Sequence, residues 1–375
     1  MSTHDVAVIG GGLLGSSFAW GLSRRGVDTV VFDEGDDAIR TARGNFGLVW
    51  VQGKGYRMPA YARWSLESSL RWTDFATELE ETTGVAVDYQ RPGGYEMCLD
   101  QAALEKRINV MASIRDSALG HDYEFEVLEY DEMKRQLPIA GDIAGVVYSP
   151  HDGHCNPLRL LRALQAGFVN HKGHYRFNTP VRRIMPLSGG GFSLRGDNGD
   201  TLAEAERIII AAGLGSKTLG ADIGMDIPIH PEQGQIIITE KVEPLLKYPT
   251  STVRQTAEGN FMLGASARDV GYDLSTDVAT LQGISQECIR AFPLIESLRI
   301  QRTWAALRIM TPDGFPVYQQ SAEYPGAFAF NCHSGVTLAA NHALLIPEWV
   351  MNNQLPADYS AFLPTRFQPE GVNNV

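Results

Sequence analysis

The chain has 375 residues, of which 44% are hydrophobic, so it is long enough to bury one large core or the cores of two domains. Its 32 basic and 44 acidic residues give a net charge of −12, and the charges are spread without long blocks of one sign. This balance argues against a protein that binds nucleic acid or an anionic membrane surface.

The cysteine spacing and the hydropathy pattern exclude two further classes. Cys98, Cys155, Cys288 and Cys332 lie far apart, and no pair has metal-ligand spacing, which predicts reduced thiols and no metal site. No apolar run approaches the roughly 20 residues that span a bilayer. The first strand is predicted to begin by Asp5, too early for a signal peptide. We therefore expect a soluble cytoplasmic protein without a transmembrane segment.

The N-terminal segment is predicted to form a strand, a glycine turn and a helix. A buried run at 6–9 precedes Gly10, Gly12 and Gly15, which form a G-x-G-x-x-G pattern, and a helix follows over about 13–25. In such a turn the first glycine permits the tight bend, the second lets a pyrophosphate approach the backbone, and the third lets helix and strand pack closely. The helix N-terminus favours the negative phosphates.

A second strand, 29–32, is predicted to end at Asp33, 23 positions after Gly10, where a carboxylate can accept a hydrogen bond from a ribose hydroxyl. Strand, glycines, helix, strand and acid in this order predict dinucleotide binding, but they do not distinguish NAD from FAD. The next segment, "AIRTARGNFGLVWVQGKG" (38–55), is typical of a loop that passes close to an extended ligand. An NAD dehydrogenase would usually continue with regular β-α alternation.

Later segments match, in order, the motifs of one family. They are "HDGHCNPLRLLRAL" (151–164), "TPVRRI" (179–184), "RIIIAAGLGS" (207–216), "EQGQIIITE" (232–240), "WAALRIMTPDGFPVY" (304–318) and "FNCHSGVTLAA" (330–340). With these motifs almost the whole chain resembles the FAD-dependent amino-acid oxidoreductases of the D-amino acid oxidase, glycine oxidase and sarcosine oxidase group.

Within that group, three segments are most similar to the catalytic β subunits of heteromeric dehydrogenases. The enzymes with such subunits include opine dehydrogenase, D-hydroxyproline dehydrogenase and hydrogen cyanide synthase. The segments are "GNFGLVWVQGKG" (44–55), "VRQTAEGNFMLGAS" (253–266) and "CHSGVTLA" (332–339). The resemblance implies non-covalent FAD, a small amino-acid-like substrate, and partner subunits that carry further redox centres.

The resemblance also implies a set of cofactor-binding residues. They are Gly10, Gly12, Leu14, Gly15, Asp33, Glu34, Arg43, Gly44, Asn45, Gly47, Val181, Ala212, Gly213, Ser334, Gly335, Val336, Thr337 and Leu338. In this set, Ala212 and Gly213 follow a buried strand and are small enough for the backbone to approach a nucleotide, although an ordinary strand-to-turn junction would look the same. Val181 matches the residue whose backbone meets the adenine.

Alternation in "WAALRIM" predicts that Trp304, Ala306, Arg308 and Met310 share one face of a strand. A guanidinium beside the small Ala306 has room to bind a carboxylate through two hydrogen bonds. By the resemblance, Arg308 matches the arginine that binds the substrate carboxylate, and the alternative is an arginine in a structural salt bridge. Many relatives carry arginine where Gln233 stands, so any role of that arginine is absent here.

The closing segment, "FAFNCHSGVTLAANHALLIPEWV" (328–350), is predicted to form a strand, a loop of small polar residues and an apolar helix. By the resemblance, backbone N–H groups of 333–338 face the flavin and stabilise negative charge near its N1 and C2=O. His333 is a candidate catalytic group on the substrate side, with a helix cap as the alternative. Nothing around Cys332 supports covalent flavin attachment. No general base stands out, which fits hydride transfer from a neutral amine to flavin N5.

We predict an α/β protein with a Rossmann-like FAD-binding domain and a discontinuous α+β substrate-binding domain built on a mainly antiparallel sheet. The FAD-binding domain comprises 1–88, 142–222 and 308–375, and the substrate-binding domain comprises 89–141 and 223–307. The segments "QIIITE" and "NFMLGAS" are expected to be strands of that sheet, and "TLQGISQECIRAFP" a helix that Pro293 ends. The substrate would lie between this sheet and the flavin.

The leading functional hypothesis is FAD-dependent oxidation of the C–N bond of an opine, such as octopine or nopaline, by the catalytic member of a heteromeric complex. Alternatives with the same chemistry are D-hydroxyproline, another amino acid or glycine as substrate, or a stand-alone oxidase that uses oxygen. A non-catalytic nucleotide-binding subunit is the alternative from another class. An FAD monooxygenase is disfavoured because it has no evident use for a carboxylate-binding arginine. Loop residues such as Lys54 and Tyr56 are candidates for specificity, without a spacing argument.

Overall fold

The computed structural model describes residues 3–35, 41–42, 44–264 and 266–368. The strands are β1 (Thr3–Ile9), β2 (Thr29–Phe32), β3 (Leu48–Val49), β4 (Gly94–Cys98), β5 (Glu126–Glu129), β6 (Gly145–Ser149), β7 (Gly153–His154), β8 (His174–Arg176), β9 (Arg183–Pro186), β10 (Phe192–Arg195), β11 (Thr201–Ile210), β12 (His230–Lys241), β13 (Val253–Gln255), β14 (Asn260–Leu263), β15 (Ile300–Met310), β16 (Val317–Gln320) and β17 (Ala327–Asn331). The α-helices are α1 (Leu13–Ser23), α2 (Pro59–Thr83), α3 (Gln101–Ile114), α4 (Tyr130–Gln136), α5 (Pro157–Asn170), α6 (Ser216–Ala221), α7 (Val278–Ala291), α8 (Ala339–Leu344) and α9 (Ile346–Met351). Short 3-10 segments cover Gly120–Asp122, Gly213–Gly215, Pro293–Ser297, Ala357–Phe362 and Pro364–Phe367, and a π-helical turn covers Arg115–Leu119.

The main sheet has a parallel centre, as the Rossmann-like prediction requires. Its order is β16-β17-β11-β1-β2-β8, and the β9-β10 hairpin joins it at β11. Strands β17, β11, β1, β2 and β8 are parallel to one another. Along β1, Val6 and Val8 belong to one hydrophobic cluster, while Ala7 and Ile9 belong to another. Burial on both faces is typical of a central strand in an α/β sheet.

A helical layer covers the face of the main sheet that carries Val6 and Val8. Helices α1 and α2 each pack against α5 and α8. Phe18 of α1, Trp64 of α2 and Phe168 of α5 all belong to the cluster on this face. The N-terminus of α1 is thereby held at the carboxyl ends of β1 and β2, where α/β sheets bind nucleotides.

A second sheet, β13-β14-β12-β15, is antiparallel throughout, as predicted. One of its faces packs Ile237, Val253 and Leu263 against Ile284 and Cys288 of α7. Helix α7 ends at Ala291, just before the proline that was predicted to stop it.

The other face of the second sheet carries the charged residues and is here called the inner face. Neighbouring residues along a strand point to opposite faces, so the cross-strand pairs of the inner face are Arg254 with Met262, Ile236 with Trp304, Gly234 with Ala306, and Glu232 with Arg308. A Cβ built on Gly264 would lie 3.3 Å from the Phe46 ring, and one built on Gly47 would lie 3.2 Å from Nη2 of Arg254. The inner face therefore packs against the loop between β2 and β3.

The remaining strands bear on the predicted domain division. Strand β6 pairs with β4 and β5 in a third sheet, and β3 pairs with β7. The predicted boundary at 142 separates β6 from its partners, and the one at 308 falls inside β15. The division stays a prediction, and we propose to move these boundaries to about 150 and 311 so that each sheet remains whole.

The C-terminal segment differs from its prediction as one helix. After β17 a turn spans 335–338, in which the Leu338 N–H donates to Ser334 O at 3.0 Å, and the regular helix α8 starts only at Ala339. A second short helix, α9, follows, with Pro347 in its first turn. Proline has no N–H to donate to the carbonyl of Ala343, so the helix breaks there. In the described ranges, no helix combines the length and apolar character needed to cross a membrane.

Candidate active site

The three glycines of the turn after β1 differ in what surrounds them. Gly10 has φ +106°, and a Cβ there would lie 2.3 Å from the Ala211 carbonyl oxygen. A Cβ on Gly15 would lie 1.8 Å from the Gly10 carbonyl oxygen, so α1 packs directly on the turn. A Cβ on Gly12 would meet no heavy atom within 4 Å, and Gly12 borders the large cavity described next. The first and third glycines are thus required for packing, whereas Gly12 keeps the cavity open.

A cavity of about 990 Å³ begins at this turn. It brings together these predicted site residues: Gly10, Gly12, Leu14, Asp33, Glu34, Asn45, Val181, Ala212, Gly213, His333 and Gly335. Its walls also include Leu307 and Ile309 of the edge strand β15, which alternate with the inner-face residues Ala306 and Arg308, and Asn331 and Cys332 at the end of β17. One continuous space therefore connects the glycine turn with the second sheet.

Other predicted residues do not line this cavity. They are Gly15, Gly44, Gly47, Ser334, Val336, Thr337, Leu338 and Arg308, while Arg43 lies outside the described residues. Val336 and Leu338 point into hydrophobic clusters. Leu338 uses its N–H within the turn, so this group is not a free donor for a flavin.

Asp33 and Glu34 lie where the ribose end of a dinucleotide was predicted. Asp33 accepts the Gly11 N–H at 2.8 Å and the Gly35 N–H at 3.0 Å, so it also anchors the turn. A carboxylate has about four acceptor positions, and two more remain for ribose hydroxyls. Glu34 borders the same cavity and lies 3.5 Å from Nη1 of Arg182.

Sequence reasoning missed several residues of the cavity wall, because their segments carry no dinucleotide motif. They include Thr41, Leu161, Gln165, Tyr175, Phe177 and Asn178. Gln165 donates to the Tyr175 hydroxyl at 3.1 Å, and a Cβ on Gly11 would lie 1.7 Å from that hydroxyl oxygen. Gly11, which lies between two predicted glycines, is therefore also constrained by packing.

The turn at 335–338 is held from the side of α2. Trp72 donates its indole N–H to the carbonyls of Val336 and Thr337 at 3.2 and 3.1 Å, and the Ser68 hydroxyl donates to Thr337 O at 2.7 Å. The Thr337 hydroxyl accepts the Trp50 N–H at 3.1 Å. These bonds satisfy buried polar groups and fix the loop that follows β17.

Ser334 is the centre of a polar cluster in that loop. Lys54 donates to Ser334 Oγ at 2.6 Å, the Tyr61 hydroxyl lies 2.6 Å from the same atom, and His333 Nε2 lies 3.4 Å away. Burial, followed by the charges of Lys54 and Arg308, lowers the pKa of His333 to about 3. His333 is therefore a neutral imidazole at neutral pH, and Lys54, for which the sequence offered no spacing argument, is the cation beside it.

Arg308 and Glu232 form the ion pair that was the alternative in the sequence analysis. Nη1 of Arg308 lies 2.7 Å from Glu232 Oε1 and donates to the Ser266 carbonyl at 2.8 Å. Nη2 lies over Gly234, where a Cβ would approach it to 2.7 Å. These two bonds from Nη1 fix the orientation of the Arg308 guanidinium. The Glu232 carboxylate also offsets part of its positive charge.

Gln233 has a structural role, and the Cys332 thiol has a defined protonation state. Gln233 is buried and donates to the carbonyls of Asp273 and Ser275 at 2.7 and 3.1 Å, so it holds the loop before α7. Burial raises the pKa of the Cys332 thiol to about 12, so the thiol is protonated at neutral pH. A protonated thiol is a poor nucleophile.

The cradle formed by Gly10, Gly12 and Gly15, together with the cavity that runs from it, is the arrangement of a dinucleotide-binding protein. More specifically, the chain belongs to the FAD dependent oxidoreductase (DAO) family, whose model matches residues 5–349. It is an FAD-dependent enzyme of the group that acts on C–N bonds of amino-acid-like substrates. The family and the cofactor predicted from the sequence are thereby confirmed.

Individual relatives and solved structures agree with this family. An opine oxidase subunit of Agrobacterium tumefaciens (strain Ach5) is 39% identical over 367 residues, which are 98% of each chain. The opine oxidase subunit of the same name from Rhizobium meliloti is 37% identical with the same coverage. The crystal structure of glycine oxidase from Geobacillus kaustophilus superposes with a TM-score of 0.90 at 22% identity, covering 98% of this chain and 100% of that one.

The described residues fit FAD. Gly12 leaves space that a side chain would fill, and Asp33 keeps free acceptor positions. Asn331 borders the cavity with a buried amide nitrogen that has no hydrogen-bond partner, as expected of a group that binds a ligand atom. The cradle would hold the pyrophosphate, and the loop after β17 would face the ring system.

Proposed function

We propose that this chain oxidises the C–N bond of an opine, a secondary amine in which an amino-acid nitrogen carries a carboxyalkyl group. The observation that carries the proposal is the likeness to two proteins named as subunits of opine oxidase, at 39% and 37% identity over 98% of the chain. Glycine oxidases are more distant, for example 23% identical in Bacillus licheniformis. The nearer likeness favours a substituted amine over glycine.

Bound FAD supplies the acceptor for a hydride from the substrate Cα–H bond. The residues of the chain would hold the substrate for that transfer. Arg308 would bind a substrate carboxylate through Nη2, while the Glu232 ion pair at Nη1 keeps the guanidinium in place. His333, as a neutral imidazole, would form a hydrogen bond with the amine without adding charge.

Lys54 and the loop after β17 would supply the electrostatic part of the site. The Lys54 ammonium donates to Ser334 Oγ at 2.6 Å, and its charge acts on the loop assigned to the flavin. Fixed cations and backbone dipoles stabilise negative charge that develops during a reaction. The protonated thiol of Cys332 supports non-covalent binding of FAD.

We further propose that the chain works as one member of a hetero-oligomer. Relatives that match over 98% of this chain are named as subunits, both the two opine oxidase proteins and the hydrogen cyanide synthase subunit HcnC of Pseudomonas aeruginosa, the latter at 26% identity. Electrons taken from the substrate would then leave through partner redox subunits.

An anaerobic absorbance titration of the purified flavoprotein tests this function. Octopine or nopaline should bleach the oxidised flavin, whereas cis-4-hydroxy-D-proline, sarcosine and glycine should bleach it weakly or not at all. Bleaching by glycine alone, with hydrogen peroxide released in air, would instead identify a stand-alone amino-acid oxidase. A flavin that no amine bleaches would contradict a catalytic role of the isolated chain.

A further inference from the structure

Arg254 is a buried guanidinium that has no carboxylate partner within the described part of the chain. It lies on β13, on the inner face of the second sheet, and is 4% exposed. Its Nη1 lies 3.4 Å from His154 Nδ1, its Nη2 lies 2.9 Å from the Met262 sulfur, and its Nε has no hydrogen-bond partner. Burial, followed by the charge of Arg254, lowers the pKa of His154 to about 4. Both contacts of the guanidinium are therefore with neutral groups.

The acidic groups that act on Arg254 through space are engaged elsewhere or uncharged. Asp88 and Glu258 lie 3.2 and 3.0 Å from the guanidinium nitrogens of Arg159. Burial raises the pKa of the Cys155 thiol to about 12, so this neighbour is neutral. An arginine stays charged in proteins, and an uncompensated buried charge is strongly destabilising. An anion that is not part of the described chain would offset it.

The comparison with Arg308 indicates which anion. Both arginines lie on the inner face, but Arg308 already has Glu232 as an anionic partner. Arg254 lies against Gly47 of the loop between β2 and β3, at the junction between this loop and the inner face. A substrate held between the inner face and a bound flavin would lie beside this junction.

We propose that Arg254 binds a carboxylate of the substrate, with neutral His154 holding the guanidinium in position. The assignment rests on the proposed function and narrows its substrate class to amines that carry a carboxylate beyond the one assigned to Arg308. An opine has a carboxylate on each side of its nitrogen, so a second cation has a partner to bind. The flexible Met262 thioether is the group that the carboxylate displaces from Nη2.

Three variants and one set of small carboxylates test this proposal. Arg254→Met keeps the length of the side chain without its charge, Arg254→Lys keeps the charge, and Arg302→Met is a control at an exposed arginine of β15. Calorimetry on the oxidised holoprotein would measure binding of the dicarboxylate thiodiacetate, which has no amine to oxidise, and of its monoamide and diamide. Thermal unfolding without these compounds and flavin content would be measured on the same samples.

We expect the wild type to bind the dicarboxylate more tightly than its monoamide and not to bind the diamide. Arg254→Met should weaken carboxylate binding by about 10- to 100-fold, as loss of a charged hydrogen bond does, and Arg254→Lys should restore part of it. The unfolding midpoint of Arg254→Met should stay equal or rise, because an unpaired buried charge is removed. Flavin content should not change in any of the three variants.

Unchanged affinity of Arg254→Met for the dicarboxylate would overturn the assignment. A clear fall in its unfolding midpoint would do so as well, since an internal ion pair of Arg254 predicts such a fall. A wild type that binds none of the carboxylates would overturn it as well. The proposed function is tested separately by anaerobic bleaching with octopine. If octopine bleaches the wild type and Arg254→Met with the same half-saturating concentration, only the assignment of Arg254 fails. If octopine bleaches neither protein while the carboxylates bind through Arg254, only the opine substrate fails.

Discussion

The glycine cradle and the inner face of the second sheet are stabilised by different kinds of contact. In the cradle, Gly10 and Gly15 are required because backbone atoms of neighbouring elements occupy the space of a side chain. On the inner face, Arg308 and Arg254 are distinguished by whether an acidic side chain happens to reach them. Steric demands on a backbone leave one residue type, whereas charge pairing depends on segments far apart in the chain. The residues that shape the cradle are therefore set by local backbone geometry, whereas the partners of the inner-face arginines are not.

The largest expected effect comes from placing a side chain in the cradle. Gly12→Val should yield protein without flavin, because the new methyl groups fill the pyrophosphate position and touch nothing else. Absorbance of the purified protein near 450 nm measures the flavin content. Gly189→Val is the matched control, since a Cβ there also meets no atom within 4 Å but the position does not border the cavity. Normal flavin content in Gly12→Val would defeat the assignment of the cradle.

Removing Arg308 should disturb the inner face without disturbing the cradle. We expect Arg308→Ala to keep its flavin and to need a substrate concentration roughly 100-fold higher for half-maximal anaerobic bleaching, since a charged hydrogen-bonded pair is lost. Gly234→Ala should have a smaller effect in the same direction, because its Cβ would push against Nη2. An unchanged substrate response would leave Arg308 only its ion pair with Glu232.

Replacing Lys54 tests whether this cation acts on flavin reduction or on substrate binding. Lys54→Met should keep flavin content and substrate affinity but slow anaerobic flavin reduction by about tenfold, because a cation beside Ser334 and His333 is removed. Lys54→Arg should recover part of the rate, and Lys106→Met, at an exposed lysine, should have no effect. If Lys54→Met changed the half-saturating concentration alone, Lys54 would be a substrate-binding residue.

The smallest effect concerns acid stability. Burial lowers the pKa of His333 and His342 to about 3 and that of His154 to about 4, against about 6.5 in an unfolded chain. Below pH 6.5 the unfolded state therefore binds more protons, so the stability that these groups contribute is full above about pH 6.5 and is lost as the pH falls to about 4 for His154 and about 3 for His333 and His342. The thermal unfolding midpoint should fall between pH 7 and pH 5. His342→Gln should flatten that dependence and His121→Gln, at an exposed site, should not.

The predicted parts of the site lie mainly in short segments whose motif and surroundings coincide. Gly10, Gly12 and Asp33 meet at one cavity because a parallel strand, a tight turn and a helix place them there together. The alternation of "WAALRIM" likewise predicted correctly which residues share a strand face, although its ionic partner Glu232 was not predicted. Residues such as Tyr175 and Gln165 were missed, since they reach the cradle from another strand and helix.

By itself, the sequence determined the cradle and the antiparallel second sheet, because each depends on local backbone sterics or on a periodic pattern of apolar residues. The family and the cofactor followed from the resemblance of its motifs to those of known proteins. Tertiary structure alone decided which cations have partners. Lys54 meets Ser334 across 280 positions, Arg308 meets Glu232 across 76, and Arg254 meets no carboxylate among the described residues. The sequence around a charged residue does not show which distant residue will lie beside it. Ion pairs and unpaired charges are therefore identified only in the folded chain.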